Sequence, residues 1–97
     1  MRVVAKRTLR EFWERFPDAE EALKAWFAEA EAATWLNPVG IKEKYRSASI
    51  LKDSRVVFNI CSNKYRLVVK ISYKNAVVLI RFIGTHKEYD AVDVEVV

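Results

Sequence analysis

Tyr65-Arg-Leu-Val-Val-Lys-Ile-Ser-Tyr73 decides how this chain folds. Tyr65, Leu67, Val69, Ile71 and Tyr73 alternate with Arg66, Val68, Lys70, Ser72 and Lys74. A period of two places successive side chains on opposite faces of a sheet, here one apolar and one basic. Upstream, Val56, Phe58 and Ile60 alternate with Val57, Asn59 and Cys61, and Ser62-Asn63-Lys64 reads as a tight turn in which Asn63 tolerates left-handed geometry. Downstream, Lys74-Asn75 makes a second turn, and residues 76–83 are apolar on both faces except at Arg81. That pattern fits a strand in the middle of a sheet. Three strands on short turns form an antiparallel meander.

The N-terminal third supplies what covers the meander. Arg2-Val-Val-Ala-Lys6 is β-leaning and too short to stand alone, so it must join the sheet as a further strand. Thr8 and Glu11 have capping-box spacing, and Leu9, Phe12, Trp13 and Phe16 share one helical face. Pro17 ends that helix, and Asp18 with Glu21 repeats the capping signal for a second. Ala19, Ala22, Leu23, Trp26, Phe27, Ala30 and Ala33 form the stripe of this second helix, with the charges off it. Such a stripe is core. The expected fold is therefore α+β: a four-stranded, small antiparallel sheet with an N-terminal helical hairpin on one face, in the order β-α-α-β-β-β.

Two segments resist assignment. Residues 41–54 follow the stop at Asn37-Pro38-Val-Gly40, lack a clean period, and carry Lys42, Lys44, Arg46 and Lys52. An RNA-facing loop and a solvated crossover both fit. In residues 91–97, Val92, Val94 and Val96 alternate with Asp93 and Glu95, which fits a fifth edge strand or a tail.

At 97 residues there is room for one domain spanning 1–97, and an apolar content of 52 % with twelve aromatics is enough for a core. The net charge of +4 is unevenly spread: residues 39–87 hold eleven Lys/Arg against Glu43 and Asp53, and residues 88–97 hold four acids and no base. A basic middle suggests a polyanionic partner such as nucleic acid, although a solvated lysine surface has the same composition. Cys61 is the single cysteine, so neither a disulfide nor a cysteine zinc site is expected, and its apolar run suggests an inert buried thiol. No apolar stretch reaches membrane-spanning length and no signal peptide is apparent, so a reducing cytoplasm and no membrane partner are expected. There is no glycine-rich phosphate loop, no histidine pair for a metal and no Ser/His/Asp set, since His86 is the only histidine. No metal or other cofactor is expected.

Chemistry concentrates in Arg81-Phe-Ile-Gly-Thr-His-Lys-Glu-Tyr-Asp90. A guanidinium, an imidazole, an ammonium and a phenol leave one strand end within nine residues. If Val78, Ile80 and Phe82 face the helices, Arg81 joins Arg66 and Lys70 on the other face, which normal twist makes concave. The alternative for Arg81 is a buried structural arginine paired with Glu88 or Asp90.

These residues, together with Asn59 and Asn63-Lys-Tyr-Arg66-Leu-Val-Val, resemble the HigB toxins of bacterial type II toxin–antitoxin systems, most closely at Thr85-His-Lys-Glu-Tyr-Asp90. The resemblance implies a RelE-like fold and an endoribonuclease (mRNA interferase) acting on mRNA in the ribosomal A site. It also implies a HigA-type helix-turn-helix antitoxin that neutralises the toxin and carries the pair to operator DNA. RelE-like nucleases use the 2′-hydroxyl of the substrate as nucleophile, so the protein must grip a phosphate, take one proton and give another. Arg66 and Arg81 suit the phosphate, because a guanidinium fork donates two hydrogen bonds to its oxygens as charge builds. His86 and Tyr89 are the proton carriers, with the division between base and acid left open, and neighbouring cations are expected to keep His86 neutral. Lys64, Lys70 and Lys87, then Lys44 and Arg46, are candidate phosphate contacts. A non-catalytic RNA- or ribosome-binding module, or a domain that docks only an antitoxin, would use the same basic face.

Overall fold

The computed structural model describes residues 1–97. Elements follow in the order β1 (Arg2–Val4), α1 (Lys6–Arg15), a short 3-10 turn (Pro17–Ala19), α2 (Glu20–Ala32), α3 (Pro38–Lys44), β2 (Ser49–Ile50), β3 (Arg55–Ile60), β4 (Tyr65–Ser72), β5 (Val77–Thr85) and α4 (His86–Asp90). The sheet has five strands in the order β1-β5-β4-β3-β2. The meander β3-β4-β5 is antiparallel as expected, and the fold is α+β with helices on one face. Two details differ. β1 joins β5 in parallel, Val3 opposite Val78, and the edge beyond β3 is the two-residue β2 rather than residues 91–97. The C-terminal segment forms turns.

The core lies between the helices and one sheet face. Leu9, Phe12 and Trp13 of α1 and Leu23, Trp26 and Ala30 of α2 pack on Val56, Phe58, Leu67, Val69, Ile71 and Val78. Leu67 and Val69 are fully buried because β4 has a neighbour on each side and helices above. Each such side chain contributes roughly 1.5–3 kcal/mol relative to exposure. Both turns of the meander rely on left-handed residues: Cys61, Ser62 and Asn63 have φ of 56°, 54° and 71°, and Ala76 has 55°. The tolerance expected of Asn63 is used.

Helix starts depart from expectation. Ala5 precedes α1 without a side-chain cap, and Thr8 lies within the helix. Ala19 precedes α2, again uncapped, because the Asp18 carboxylate turns away to Lys64 and Tyr65. α3 falls in the segment left open. Asn37 caps it by accepting from the Val39 N–H, and Pro38 occupies its first turn. Tyr45 then ties α3 to α2 by donating to Glu29 at 2.6 Å.

A β-bulge shapes β5. Val69 pairs with Ile80 and Val68 with Phe82, so Arg81 is the additional residue. Ile80 and Ile83 both pack on the core, an odd spacing that regular alternation forbids. Phe82 therefore leaves the helix side, contrary to expectation, and its place there passes to Ile83. Across the sheet Phe82 stands beside Val68, with Gly84 opposite Arg66.

Candidate nucleic-acid interface

The open sheet face is built by position. Arg66 stands opposite Asn59 on one side and Gly84 on the other, and Lys70 opposite Arg55 and Leu79. Arg66 and Lys70, four residues apart, thus share the face away from the helices. Arg81, at the bulge beside Val68, is exposed, and its guanidinium has no hydrogen-bond or ion-pair partner. This removes the alternative of a buried arginine paired with Glu88 or Asp90. Glu88 instead faces Arg15 at 3.8 Å, and Asp90 faces His86. About 10 Å of strand separates Gly84 from Arg81.

The face is less open than its charge suggests. Val57 and Val68 are buried on it, and the C-terminal segment crosses toward it. Arg55, only 8 % exposed, donates through Nε and Nη2 to the Val97 carbonyl at 3.3 and 3.1 Å. Lys52 meets Glu95 at 3.7 Å.

α4 positions the proton carriers. Thr85 ends β5 and caps the helix: its hydroxyl accepts from the Glu88 N–H at 3.1 Å, and Glu88 accepts from the Thr85 N–H at 2.9 Å. The chain passes from strand to helix with no loop between. Gly84 makes this close packing possible. A Cβ there would lie 2.5 Å from the Phe82 ring and 3.1 Å from the Glu88 carboxylate.

His86 and Tyr89 stand one helical turn apart on α4. The Arg66 guanidinium lies 6.0 Å from the Tyr89 ring centroid, held by a 2.7 Å hydrogen bond to the Asn63 carbonyl. His86 is exposed, and its Nδ1 lies 3.2 Å from Asp90 Oδ2. The group against the imidazole is therefore a carboxylate, where cations were expected.

Lys64, His86 and Lys87 line a cleft of about 540 Å³ at the strand ends, walled on its far side by Arg15 and Phe16. Lys64 is bound to Asp18, which also accepts from the Tyr65 hydroxyl. The Lys64 and Tyr65 hydrogen bonds hold the Asp18 carboxyl below the usual carboxylate range, and Asp18 in turn raises Lys64. The two weaker candidates lie elsewhere. Lys44 pairs with Glu29 on α2 at 3.2 Å, and Arg46 is exposed just past α3. Sequence reasoning missed Arg15, Asp18 and Arg55. Only the tertiary fold brings these beside the strand ends or the tail. Asp90 at i+4 from His86 was within reach of helical spacing.

No helix is long and apolar enough to cross a membrane. The chain is similar to the mRNA interferase toxin HigB of Escherichia coli (strain K12), with 27 % identity over 92 residues, covering 93 % of this chain and 88 % of that protein. The mRNA interferase HigB proteins of Escherichia coli O157:H7 and Shigella flexneri match equally, at 27 % over the same 92 residues. The family model of HigB_toxin, the RelE-like toxic component of a toxin–antitoxin system, matches residues 19–92, and the chain belongs to that family.

Proposed function

We propose that this chain is an mRNA endoribonuclease that cuts by attack of the 2′-hydroxyl on the adjacent phosphate. One observation carries this reading: a planar guanidinium, Arg66, lies over the ring of a phenol, Tyr89, at 6.0 Å, one helical turn from an exposed imidazole, His86. The relatives named as mRNA interferases support the same substrate class.

Arg66 holds the phosphate and stabilises charge on its oxygens as the fifth bond forms, and Arg81, its guanidinium unpaired, extends along the open face to meet the same phosphate across the roughly 10 Å of strand between them. With Asp90 accepting from Nδ1–H of His86, Nε2 is left with its lone pair, the tautomer a general base needs. It takes the 2′-hydroxyl proton while O2′ bonds to phosphorus. The P–O5′ bond breaks, and the Tyr89 hydroxyl protonates the leaving oxygen. The products are a 2′,3′-cyclic phosphate and a 5′-hydroxyl. Lys64, Lys70 and Lys87 bind flanking phosphates, and Lys44 and Arg46 add weaker contacts.

The partner completing the system is a helix-turn-helix antitoxin of the HigA type, which brings the pair to operator DNA. The target is mRNA in the ribosomal A site, in the cytoplasm. Incubating the purified chain with RNA, alone and with programmed ribosomes, and mapping the ends tests this. Cyclic phosphates lost in His86→Ala and Arg81→Ala variants that keep their thermal transition are expected. RNA binding without any cut would instead make this a non-catalytic binding module.

A further inference from the structure

We propose that the cleft between the end of α1 and the β5–α4 junction is a second RNA subsite, which seats the nucleotide next to the one cut. This rests on the nuclease reading above. Neither Arg66 nor Tyr89 lines the cleft, whereas His86 does. His86 thus stands where the sheet face and the cleft adjoin, so a strand held on the face by Arg66 passes the imidazole and enters the cleft.

Three features fit a nucleotide there. The volume, about 540 Å³, lies in the ordinary range of small-ligand sites. Arg15, Lys64 and Lys87 ring it, against the single carboxylate of Asp18 in its wall. The Arg15 guanidinium lies 5.0 Å from the Phe16 ring centroid, so a guanidinium and an aromatic ring, the two side-chain types on which unpaired bases stack, stand together in the cleft wall. An acidic protein segment would use the cations but leave the ring idle.

Asp18 gives the subsite a second property. It occupies Lys64, so an incoming phosphate competes with a carboxylate already in place. Removing the Asp18 charge should therefore tighten RNA binding, the opposite of what loss of a binding residue does.

The test measures fluorescence anisotropy with non-cleavable 2′-O-methyl RNA, comparing a dinucleotide that spans only the scissile phosphate with a hexanucleotide. Arg15→Gln should weaken hexanucleotide binding roughly fivefold or more, as loss of one stacked base does. Asp18→Asn should strengthen it. Neither should move the dinucleotide. Arg15 is exposed, so its variant keeps the fold and carries the test if Asp18→Asn does not fold. Unchanged hexanucleotide affinity in Arg15→Gln, with cleavage intact in the unaltered chain, overturns the subsite and spares the nuclease. Displacement of the RNA by an octaglutamate peptide at lower concentration than by unlabelled RNA overturns it in favour of a protein occupant. An unaltered chain that neither binds nor cuts RNA overturns both.

Discussion

The Arg66 guanidinium and the Tyr89 ring are in cation–π contact at 6.0 Å, and they reach each other from different elements, β4 and α4. The contact contributes only about 0.5–1 kcal/mol at an exposed site. Its value is orientation: the ring and the Asn63 carbonyl fix the plane of a fork that would otherwise sweep many rotamers.

Arg66→Lys separates charge from shape. The ammonium keeps the charge but has neither the fork nor a face to stack. Cleavage is expected to fall by about 10²-fold or more, the scale of losing one donor to a developing oxyanion. Thermal unfolding should move little. Wild-type turnover in the lysine variant would show that Arg66 acts only as a diffuse charge.

Asp90→Asn keeps the size of the His86 partner and removes its charge. The amide can donate as well as accept, so the partner of the imidazole no longer selects its tautomer. The expected result is a drop in kcat with little change in KM. A variant with the kcat of the unaltered chain would place the His86–Asp90 pair outside the chemistry.

Gly84→Ala tests the strand-to-helix junction. The added methyl meets the Phe82 ring and the Glu88 carboxylate, and Glu88 is half of the capping box. Overpacking of this kind costs roughly 1–3 kcal/mol. Urea unfolding should shift by that amount, and cleavage should fall further because α4 carries His86 and Tyr89. Since φ at Gly84 is not in the left-handed region, the cost comes from contact and not from backbone strain.

Much of this was legible in residue patterns, and the rest was not for identifiable reasons. The alternation at Val56–Ile60 and Tyr65–Tyr73 marks β3 and β4 because one face must be buried. Ile80 and Ile83 conceal a bulge: both read as apolar whichever way they point, so only packing shows that Phe82 changes sides. Pro38 suits either the end of one helix or the first turn of the next, and the cap at Asn37 decides for the second. Thr85-His-Lys-Glu88 carries the capping-box spacing that proved misplaced at Thr8 and Glu11. Five residues offer too little apolar periodicity to reveal a helix. Arg81, Arg66, His86 and Tyr89 were visible as chemistry, whereas Asp18 as a partner of Lys64 depends on a contact 46 residues away.

Acid should weaken the protein through two carboxylates. Asp18 lies below its ordinary value because Lys64 and then Tyr65 hydrogen-bond to it, and Glu29 does so because Tyr45 and then Lys44 do. A carboxyl whose folded value is depressed adds stability above its unfolded value and loses it as pH falls through the folded one. The unfolded values are 3.8 and 4.5, so the loss begins near there and deepens below. The tyrosines behave in the opposite sense. Burial, and then these same carboxylates, raise Tyr45 and Tyr65, so their contribution holds below about pH 10 and fades as pH climbs beyond it. Melting temperatures taken from pH 7 down to pH 2 should therefore fall below about pH 4.5. Asp18→Asn should lower the plateau at pH 7 and flatten the acid limb, because the amide has no proton to gain. An acid limb as steep in Asp18→Asn, Glu29→Gln and the double variant as in the unaltered chain would assign the acid sensitivity to other carboxylates.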